Sequence, residues 1–500
     1  MVKASPYQAA IITRVRDMAR GEANPRLVVE AVAGSGKSTT LRLIASTLRD
    51  SGVSDDDILY LAFGSAMVKE IGPKLLGLAT TRTIHSHGFG AVRRVLGNRI
   101  DVKDHRVKLK PVVEEIIKAD QSLPPELDKV SLAYEVINLT SKAMVNLVDS
   151  ASIEAVEDII EHYNIDLEGL NAAWASQALQ QVFKATLELA KAGKISFDEQ
   201  IWLPTSQGWP VQRFRYVLVD EAQDLSAAQL AIAMASVAPG GQMIFVGDSR
   251  QAIFGFAGAQ CDSMERIIAA TGADTLPLSM TYRCPSSHVA LAQAIVPGIE
   301  ASPTAPEGVV AHIEAAKLSD EVKQGDLILC RTTAPIVALA FNLISQGVAA
   351  KVKGRDIGKG LVALAKRVAS QPGFRFDSFV GHLVDYTEQQ VNVLQVKPGN
   401  EGKVQRLEDQ SDCLQAIFAA RRPRSMDELV KGVNSIFSED TPGVTLSTVH
   451  RAKGLEADRV FIMRPELLPL KTKSAWQAKQ ELNLKYVALT RSRHFLGFVS

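Results

Sequence analysis

The sequence predicts an α/β protein with parallel sheets, arranged as two units that each carry an insertion. Three observations predict it. Over the first ninety or so residues, short β-branched runs alternate with helical periodicity, the pattern of parallel strands joined by crossover helices. From Val107 to Gly193 the strand pattern vanishes and helical periodicity continues alone, and strands then return at Tyr216–Val219. A second set of strand-like runs opens at Asp326–Cys330 and resumes at Val444–Thr448 after a stretch of mixed pattern.

Taken in order, Leu27–Val32 reads as a strand, Ser38–Leu48 as a helix and Ile58–Phe63 as a second strand. Within the helical stretch, Leu179, Val182, Phe183, Leu187 and Ala190 line one helix face, and Pro124-Pro125 separates two helices. Tyr216–Val219, Met243–Val246 and Thr275–Ser279 complete a first sheet. Asp326–Cys330, Val444–Thr448, Arg459–Met463 and a last strand Phe495–Val499 belong to a second. Between Leu361 and Asp440 polar loops and the turn signals Gln371-Pro372-Gly373 and Pro398-Gly399-Asn400 mark a second insertion of mixed pattern. The expected divisions are 1–92 and 195–277 around an insertion at 93–194, then 278–360 and 441–500 around an insertion at 361–440.

Bulk composition is that of a soluble globular chain: 500 residues, 46% hydrophobic and 22% charged. Lys+Arg 56 against Asp+Glu 55 leaves a formal net charge of +1, so any basic binding surface is local. One local run holds Arg93, Arg94, Arg99, Lys103, Arg106, Lys108 and Lys110; such runs are usually solvated faces, and this one is also a candidate contact for a polyanion backbone. Cys261, Cys284, Cys330 and Cys413 are far apart, which argues against a zinc site and against a disulfide framework. There is no secretory signal and no apolar run of membrane-spanning length, so the expectation is a cytosolic protein with no membrane partner.

The chemistry starts at Ala31-Val32-Ala33-Gly34-Ser35-Gly36-Lys37-Ser38-Thr39, between a strand and a helix. Gly34 and Gly36 let the backbone curl so that its N–H groups face a phosphate chain, and the helix N-terminus adds its dipole. Lys37 is placed to reach the β- and γ-phosphates, and Ser38 to put its hydroxyl on Mg²⁺. The second signal is Asp220-Glu221-Ala222-Gln223-Asp224 at the end of the run Tyr216–Val219. Alone it is either a strand followed by a polar turn or a metal-holding edge. With the phosphate loop present, Asp220 becomes the Mg²⁺ acid and Glu221 the base that activates water. Arg283 and Arg491 are candidates for the transition-state charge; on spacing alone each is equally a surface ion pair.

In order and content these motifs resemble the superfamily 1 DNA helicases of the UvrD/Rep/PcrA type. Ser5-Pro6-Tyr7-Gln8 resembles the family's adenine-reading motif, and Ala31–Thr39 and Asp220–Asp224 its two nucleotide motifs. Leu61–Ala66, Thr83–Ser86, Val246–Phe256, Leu278–Arg283, Thr445–Glu456 and Glu481–Arg491 follow in the family's order. The resemblance implies two RecA-like domains with the insertions just described, the second smaller than the family's usual one. It implies ATP and Mg²⁺ as cofactors, with Gln8 on adenine, Gly34 to Thr39 around the phosphates, and Ser38 and Asp220 at the metal. It further implies that Tyr282 stacks on adenine, that Glu456 bonds the ribose, that Gln251 couples the γ-phosphate to the DNA site, and that Arg283 and Arg491 contact the γ-phosphate. By the same resemblance Phe63, Phe254 and Phe256 are expected to stack on bases of a single strand, with His85, Thr448 and His450 beside them; aromatic stacking tolerates any sequence. Ala66 and Ala257 stand where the family usually has Lys and Arg, which touches DNA grip rather than the ATP site.

The implied function is an ATP-driven motor on single-stranded DNA, moving 3′-to-5′ and separating duplex. Its partners are single-stranded DNA and DNA junctions, with replication or repair proteins as further candidates, and the chain is expected to be monomeric. Two alternatives stay open: a translocase that displaces proteins without unwinding, and a phosphate-loop switch or kinase with no nucleic acid. The paired arginines and the aromatic motif around Phe256 argue against the second.

Overall fold

The computed structural model describes residues 4–253, 255, 262–395, 401–437, 442–472 and 475–500, the side chains at 355, 356, 401 and 402 excepted. Phe254, Phe256 and the expected turn at Pro398-Gly399-Asn400 lie outside the described residues. The chain divides into two compact units, Met1–Val32 with Gly36–Ser279, and Met280–Ser500 with Ala33–Ser35.

The first unit is built on a six-stranded parallel sheet of β1 (Arg26–Ala31), β2 (Ile58–Ala62), β3 (Thr80–Thr83), β6 (Phe214–Val219), β7 (Val237–Gly247) and β8 (Asp274–Leu278), in the order β3-β2-β6-β7-β1-β8. β2 is buried at every position, and β6 at every position but Arg215, because helices cover both faces. Successive residues alternate between those faces. Ile58, Tyr60, Ala62, Tyr216 and Leu218 share one buried cluster with Leu41 and Ile44 of the helix Lys37–Asp50. Leu59, Leu61, Val217 and Val219 share the opposite one with Ala228 and Ile232 of the helix Ala227–Ala235. All six strands run the same way, so their C-terminal ends form one edge, where open α/β sheets bind ligands.

The first insertion holds four helices, His105–Ala119, Lys129–Asn146, Ile153–Tyr163 and Ala172–Lys191, around a core of its own that includes Leu109, Val113, Leu132, Val136, Leu179 and Val182. Its neck is a parallel pair, β4 (Asp101–Lys103) with β5 (Lys194–Ser196). The helix Ile84–Leu96 runs across the expected 92/93 boundary and β5 across 194/195, because hydrogen-bonded elements close the neck at those places.

The second unit opens with a two-stranded pair, β9 (Met280–Thr281) and β10 (Glu300–Ala301). Its main sheet is also parallel: β11 (Val309–Ile313), β12 (Leu327–Cys330), β13 (Ala350–Val352), β14 (Val444–Thr448), β15 (Ala457–Met463) and β16 (Ser492–Val499), in the order β11-β16-β15-β12-β14-β13. The second insertion is helical rather than mixed: Arg355–Ala369, which crosses the expected 360/361 boundary, then Phe379–Gln395, Glu401–Arg421 and Met426–Ile436. Leu361, Phe379, Leu414 and Val433 of these helices lie in the same buried cluster as Ile328, Val444, Leu446 and Phe461 of the sheet. Asp409 ties the two further by accepting the N–H groups of Thr333 and Ala334 at 2.8 and 2.9 Å, at the start of the helix Ala334–Ser345.

The three described cysteines, Cys284, Cys330 and Cys413, are free and buried. Among the described residues no helix is long and apolar enough to cross a membrane.

One member of the expected basic run is misplaced by sequence reasoning. Lys108 is buried, with its ammonium 2.5 and 2.6 Å from the carboxylate oxygens of buried Glu199, and Ser196 donates to the same carboxylate at 2.9 Å. Helical periodicity turns Lys108 inward beside Leu109, so it belongs to the neck and not to a basic surface. Lys108→Met leaves the Glu199 charge buried without its partner and should destabilise the first unit by about 3–5 kcal/mol. Denaturant unfolding read by hydrogen exchange over residues 105–119 measures this; a loss under about 1 kcal/mol contradicts the assignment.

Candidate functional site

At the sheet edge of the first unit, β1 hands over to a loop in which Gly34 and Gly36 take the left-handed region, with φ of +71° and +81°. Only glycine holds that backbone without strain. Gly36 caps the helix Lys37–Asp50, which sets Lys37, Ser38 and Thr39 in its first turn. Ser35 Oγ is buried with no hydrogen-bond partner. Gln8 sits nearby, buried in a capping box: its amide oxygen accepts the Ser5 N–H at 3.0 Å, and its amide nitrogen donates to Thr40 Oγ1 at 3.1 Å. Thr40 in turn donates to the Gly36 carbonyl at 3.1 Å, so Gln8 is braced against the loop.

The ammonium of Lys37 lies 3.1 Å from Glu221 Oε2, with Asp220 and Asp248 as further carboxylates in its field. Burial opposes its charge, and the three acids outweigh burial and raise its pKa. Asp220 ends β6. Its Oδ1 accepts the Glu221 N–H at 2.8 Å and its Oδ2 the Tyr60 hydroxyl at 2.6 Å. Burial first, then Glu221, pushes the Asp220 carboxyl up to about 6, against the pull of Lys37 and Tyr60. Glu221 has φ +50° and ψ +43°, a left-handed conformation that non-glycine residues seldom adopt.

Sequence reasoning did not place Asp248 in this site, nor the manner in which Gln223 joins it. The Gln223 side chain is buried and bridges two strand ends: its amide nitrogen donates to Glu221 Oε2 at 2.5 Å, and its amide oxygen accepts the Asp248 N–H at 2.9 Å. Gly247 makes room, since a Cβ there would stand 2.7 Å from Gln223 Oε1. Asp248 Oδ2 accepts from Gln251 Nε2 at 2.6 Å. Burial raises the Asp248 carboxyl to about 6, opposed by Lys37 and Gln251. An unbroken polar chain thus runs Lys37–Glu221–Gln223–Asp248–Gln251. The structure brings together Lys37, Asp220, Glu221 and Gln251 of the expected site. The signal that would have found Asp248 is its own position, at the end of the apolar run Ile244–Gly247, which mirrors Asp220.

Among the described residues no group of three or more His, Cys, Asp or Glu is arranged to hold a metal ion by itself. Mg²⁺ needs no such cage, because it keeps several waters and binds through one or two carboxylates together with phosphate oxygens. Asp220 beside the Lys37–Ser38 turn fits that requirement.

The second unit gathers the arginines. Arg283 donates from Nε to Glu456 Oε2 at 2.5 Å and from Nη1 to the Thr490 carbonyl at 3.4 Å, and Arg493 pairs with the same Glu456. Arg491 is buried, its guanidinium held by the carbonyls of Val487 and Leu455 at 2.9 and 3.3 Å and by Thr490 Oγ1 at 3.2 Å. Tyr282 is half exposed. Thr448 ends β14 and His450 follows it; burial, then Arg331 and Arg451, lower the His450 pKa to about 3, so the ring is neutral at physiological pH. Arg331 is itself clamped by buried Glu481 through contacts of 2.6–3.1 Å.

In the first unit His85, at the start of the helix Ile84–Leu96, stacks on Phe197 with ring centroids 4.1 Å apart and planes 21° apart. Phe197 follows β5 and is exposed. Burial holds the His85 pKa down to about 4. Sequence reasoning missed Phe197, although an aromatic directly after a short strand was a visible signal. Phe63 follows β2 at the same sheet edge.

Comparison with known proteins decides the family. Residues 16–270 match the UvrD/REP helicase N-terminal domain, and residues 378–500 match the UvrD-like helicase C-terminal domain. The chain belongs to the UvrD/Rep helicase family. It is similar to DNA helicase II of Escherichia coli, 32% identical over 24% of this chain and 18% of that protein. It is also similar to ATP-dependent DNA helicase UvrD1 of Mycobacterium tuberculosis, 28% identical over 55% of this chain and 38% of the relative. ATP-dependent DNA helicase PcrA of Staphylococcus epidermidis is 22% identical over 94% of this chain and 80% of its own length. The match thus spans 18% of the first of these relatives and 38% of the second.

The raised carboxyl of Asp248 gives this UvrD/Rep-family site a pH signature. A buried acid with a folded pKa of about 6 and an unfolded one near 3.8 weakens the fold as pH rises through that window, because the folded state holds the proton more tightly. Asp248→Asn should therefore stabilise the ligand-free protein at pH 7.5 by up to about 3 kcal/mol, and the gain should vanish near pH 4. Melting curves of both proteins across that range test it; a gain that grows on acidification overturns the sign.

Proposed function

We propose that the chain is an ATP-dependent DNA helicase or translocase that moves on single-stranded DNA, 3′-to-5′, and couples ATP hydrolysis to duplex separation in replication, repair or recombination. The observation that carries this reading is the polar chain from Lys37 through Glu221, Gln223 and Asp248 to Gln251. It joins the residue proposed to meet the phosphates to Gln251, which in sequence shortly precedes the expected base-stacking residues Phe254 and Phe256.

In this reading Gly34 to Thr39 cradle the phosphates, and Lys37 exchanges Glu221 for phosphate oxygens when the nucleotide enters. Ser38 and Asp220 hold Mg²⁺, which when bound neutralises phosphate charge. Glu221, released from Lys37, orients and deprotonates the attacking water. Gln8 reads adenine with the one amide proton and the oxygen lone pair left over from its bonds to Thr40 and Ser5, and Tyr282 stacks on the base. Arg283 and Arg491 stabilise charge on the transferring phosphoryl group, and Glu456, which holds Arg283, bonds the ribose. Phe63, Phe254 and Phe256, with His85, Thr448 and His450, line the path of the strand, and the exposed Phe197 joins them as a stacking platform. Substrates are single-stranded DNA and junctions, and the chain acts in the cytosol as a monomer.

A second reading, a translocase that strips proteins without unwinding, is favoured by the second insertion: it is four helices sharing a core with their sheet, rather than a separate duplex-gripping body.

Lys37→Ala should reduce DNA-stimulated ATP hydrolysis to about 1% or less, and normal stimulated turnover in that variant would sink the assignment. Duplexes with either a 3′ or a 5′ single-stranded tail then separate the readings. Unwinding from the 3′ tail alone supports the first, and ATP-driven displacement of a bound protein without strand separation supports the second. Phe197→Ala should raise the Kd for a short oligothymidine about tenfold while leaving the slope against salt unchanged, because stacking releases no counterions. An unaltered Kd removes Phe197 from the path.

A further inference from the structure

Tyr60 is a buried polar group that the reading above leaves without a task. It lies in the middle of β2, fully buried, where an apolar side chain would satisfy the packing. Its ring belongs to the cluster under the helix Lys37–Asp50, yet its hydroxyl donates at 2.6 Å to Asp220 Oδ2 on the neighbouring strand. The register explains how it gets there. Tyr60 pairs with Leu218 and Leu61 with Val219, so Ala62 falls beside Asp220. The Asp220 N–H extends that ladder to the Leu61 carbonyl at 3.0 Å. Tyr60, Ala62 and Asp220 therefore share a face, and the small Ala62 leaves open the diagonal that a phenol is long enough to cross.

We propose that Tyr60 is a positioning residue for the divalent-cation site, holding the Asp220 carboxylate in the orientation that binds the cation. The proposal rests on the reading of Asp220 as a cation ligand. A carboxylate offers about four lone-pair sites. Tyr60 engages one on Oδ2 and the Glu221 N–H one on Oδ1, which fixes the rotation of the group and leaves the other two for the cation or its waters. Outer partners of this kind govern metal affinity because they restrict the ligand before the metal arrives.

The test measures binding without turnover. Mn²⁺ is titrated into the full chain with a non-hydrolysable ATP analogue, and free Mn²⁺ is read by electron paramagnetic resonance, for wild type, Tyr60→Phe and Asp220→Asn. The expected result is a Kd for Mn²⁺ about tenfold higher in Tyr60→Phe, with analogue binding in the absence of metal unchanged and the melting curve intact. Asp220→Asn should weaken Mn²⁺ at least as much. In steady state, the Mg²⁺ concentration for half-maximal ATP hydrolysis should rise by the same factor while the plateau rate is kept. Weak Mn²⁺ binding in Asp220→Asn with Tyr60→Phe within twofold of wild type overturns the role of Tyr60 and leaves the site reading standing. Unchanged binding in Asp220→Asn overturns the site reading, and the role of Tyr60 with it. Tyr60→Met, which fills much of the ring's volume without a donor, separates the same outcomes should Tyr60→Phe fail to fold.

Discussion

One ammonium held among three carboxylates is the constraint around which the first unit's sheet edge is organised. Lys37 faces Glu221 directly and feels Asp220 and Asp248, and both aspartates are almost wholly buried. A single positive charge does not balance two buried carboxylates and the half-buried Glu221, and uncompensated buried charge is costly. The structure offsets the deficit with hydrogen bonds: Tyr60 and the Glu221 N–H on Asp220, Gln223 on Glu221, Gln251 and the Arg250 N–H on Asp248. What remains appears as the upward shift of both aspartates toward neutrality. An edge with surplus negative charge repels a bare polyphosphate and favours one that arrives with a divalent cation. The apo electrostatics and the proposed use of a metal–nucleotide pair are thus two views of the same imbalance.

The convergence of the acids on Lys37 is a matter of backbone geometry. Adjacent residues on a strand point to opposite faces. Asp220 continues the series Tyr216, Leu218 and so faces the phosphate loop, whereas Glu221 in an extended backbone would turn away. Its left-handed conformation breaks the alternation and returns the carboxylate to Lys37. A non-glycine residue there costs about 1–2 kcal/mol. The Lys37 contact and the Gln223 bond are what hold it, and glycine would ease the backbone only by deleting the carboxylate.

Much of this was legible in the sequence, and the misses share physical causes. The buried strands were readable because helices cover both faces, and continuous apolar runs such as Ile58–Ala62 and Leu327–Cys330 announce that burial. The strands that went unread, β3, β11 and β13 of the main sheets and β4, β5, β9 and β10 of the two-stranded pairs, all lie at sheet edges, where one side is unpaired and the composition is mixed or the element short, as in Thr80–Thr83. The phosphate loop and the acids were legible because their chemistry dictates residue types at fixed spacing. Tyr60 was not, because it gains its meaning from the β2–β6 register, and Asp248 showed only as a strand-end acid whose link to the site runs through Gln223, distant in sequence. Lys108 was misread for the same reason, since its partner Glu199 is far along the chain.

The two insertions differ in a way that bears on how each communicates with its sheet. The first has a core of its own, joined to the sheet-bearing part through the β4–β5 pair, the buried Lys108–Glu199 contact and a smaller apolar cluster in which Met144 and Ala190 pack with Val92, Trp202 and Leu203. Interiors are close-packed and transmit strain through contact. A volume change among Leu109, Val136 and Val182 is therefore absorbed within that insertion unless it reaches the neck, and the neck is where Phe197 and its stacking partner His85 stand. The second insertion has no such buffer: Phe379, Leu414 and Val433 pack in one cluster with Val444 and Leu446 of β14, the strand that ends in Thr448 and leads to His450. A force on those helices passes straight into a strand that carries proposed DNA contacts. The first insertion is therefore coupled to the proposed DNA contacts through a neck that is part polar and part apolar, and the second through one continuous apolar cluster.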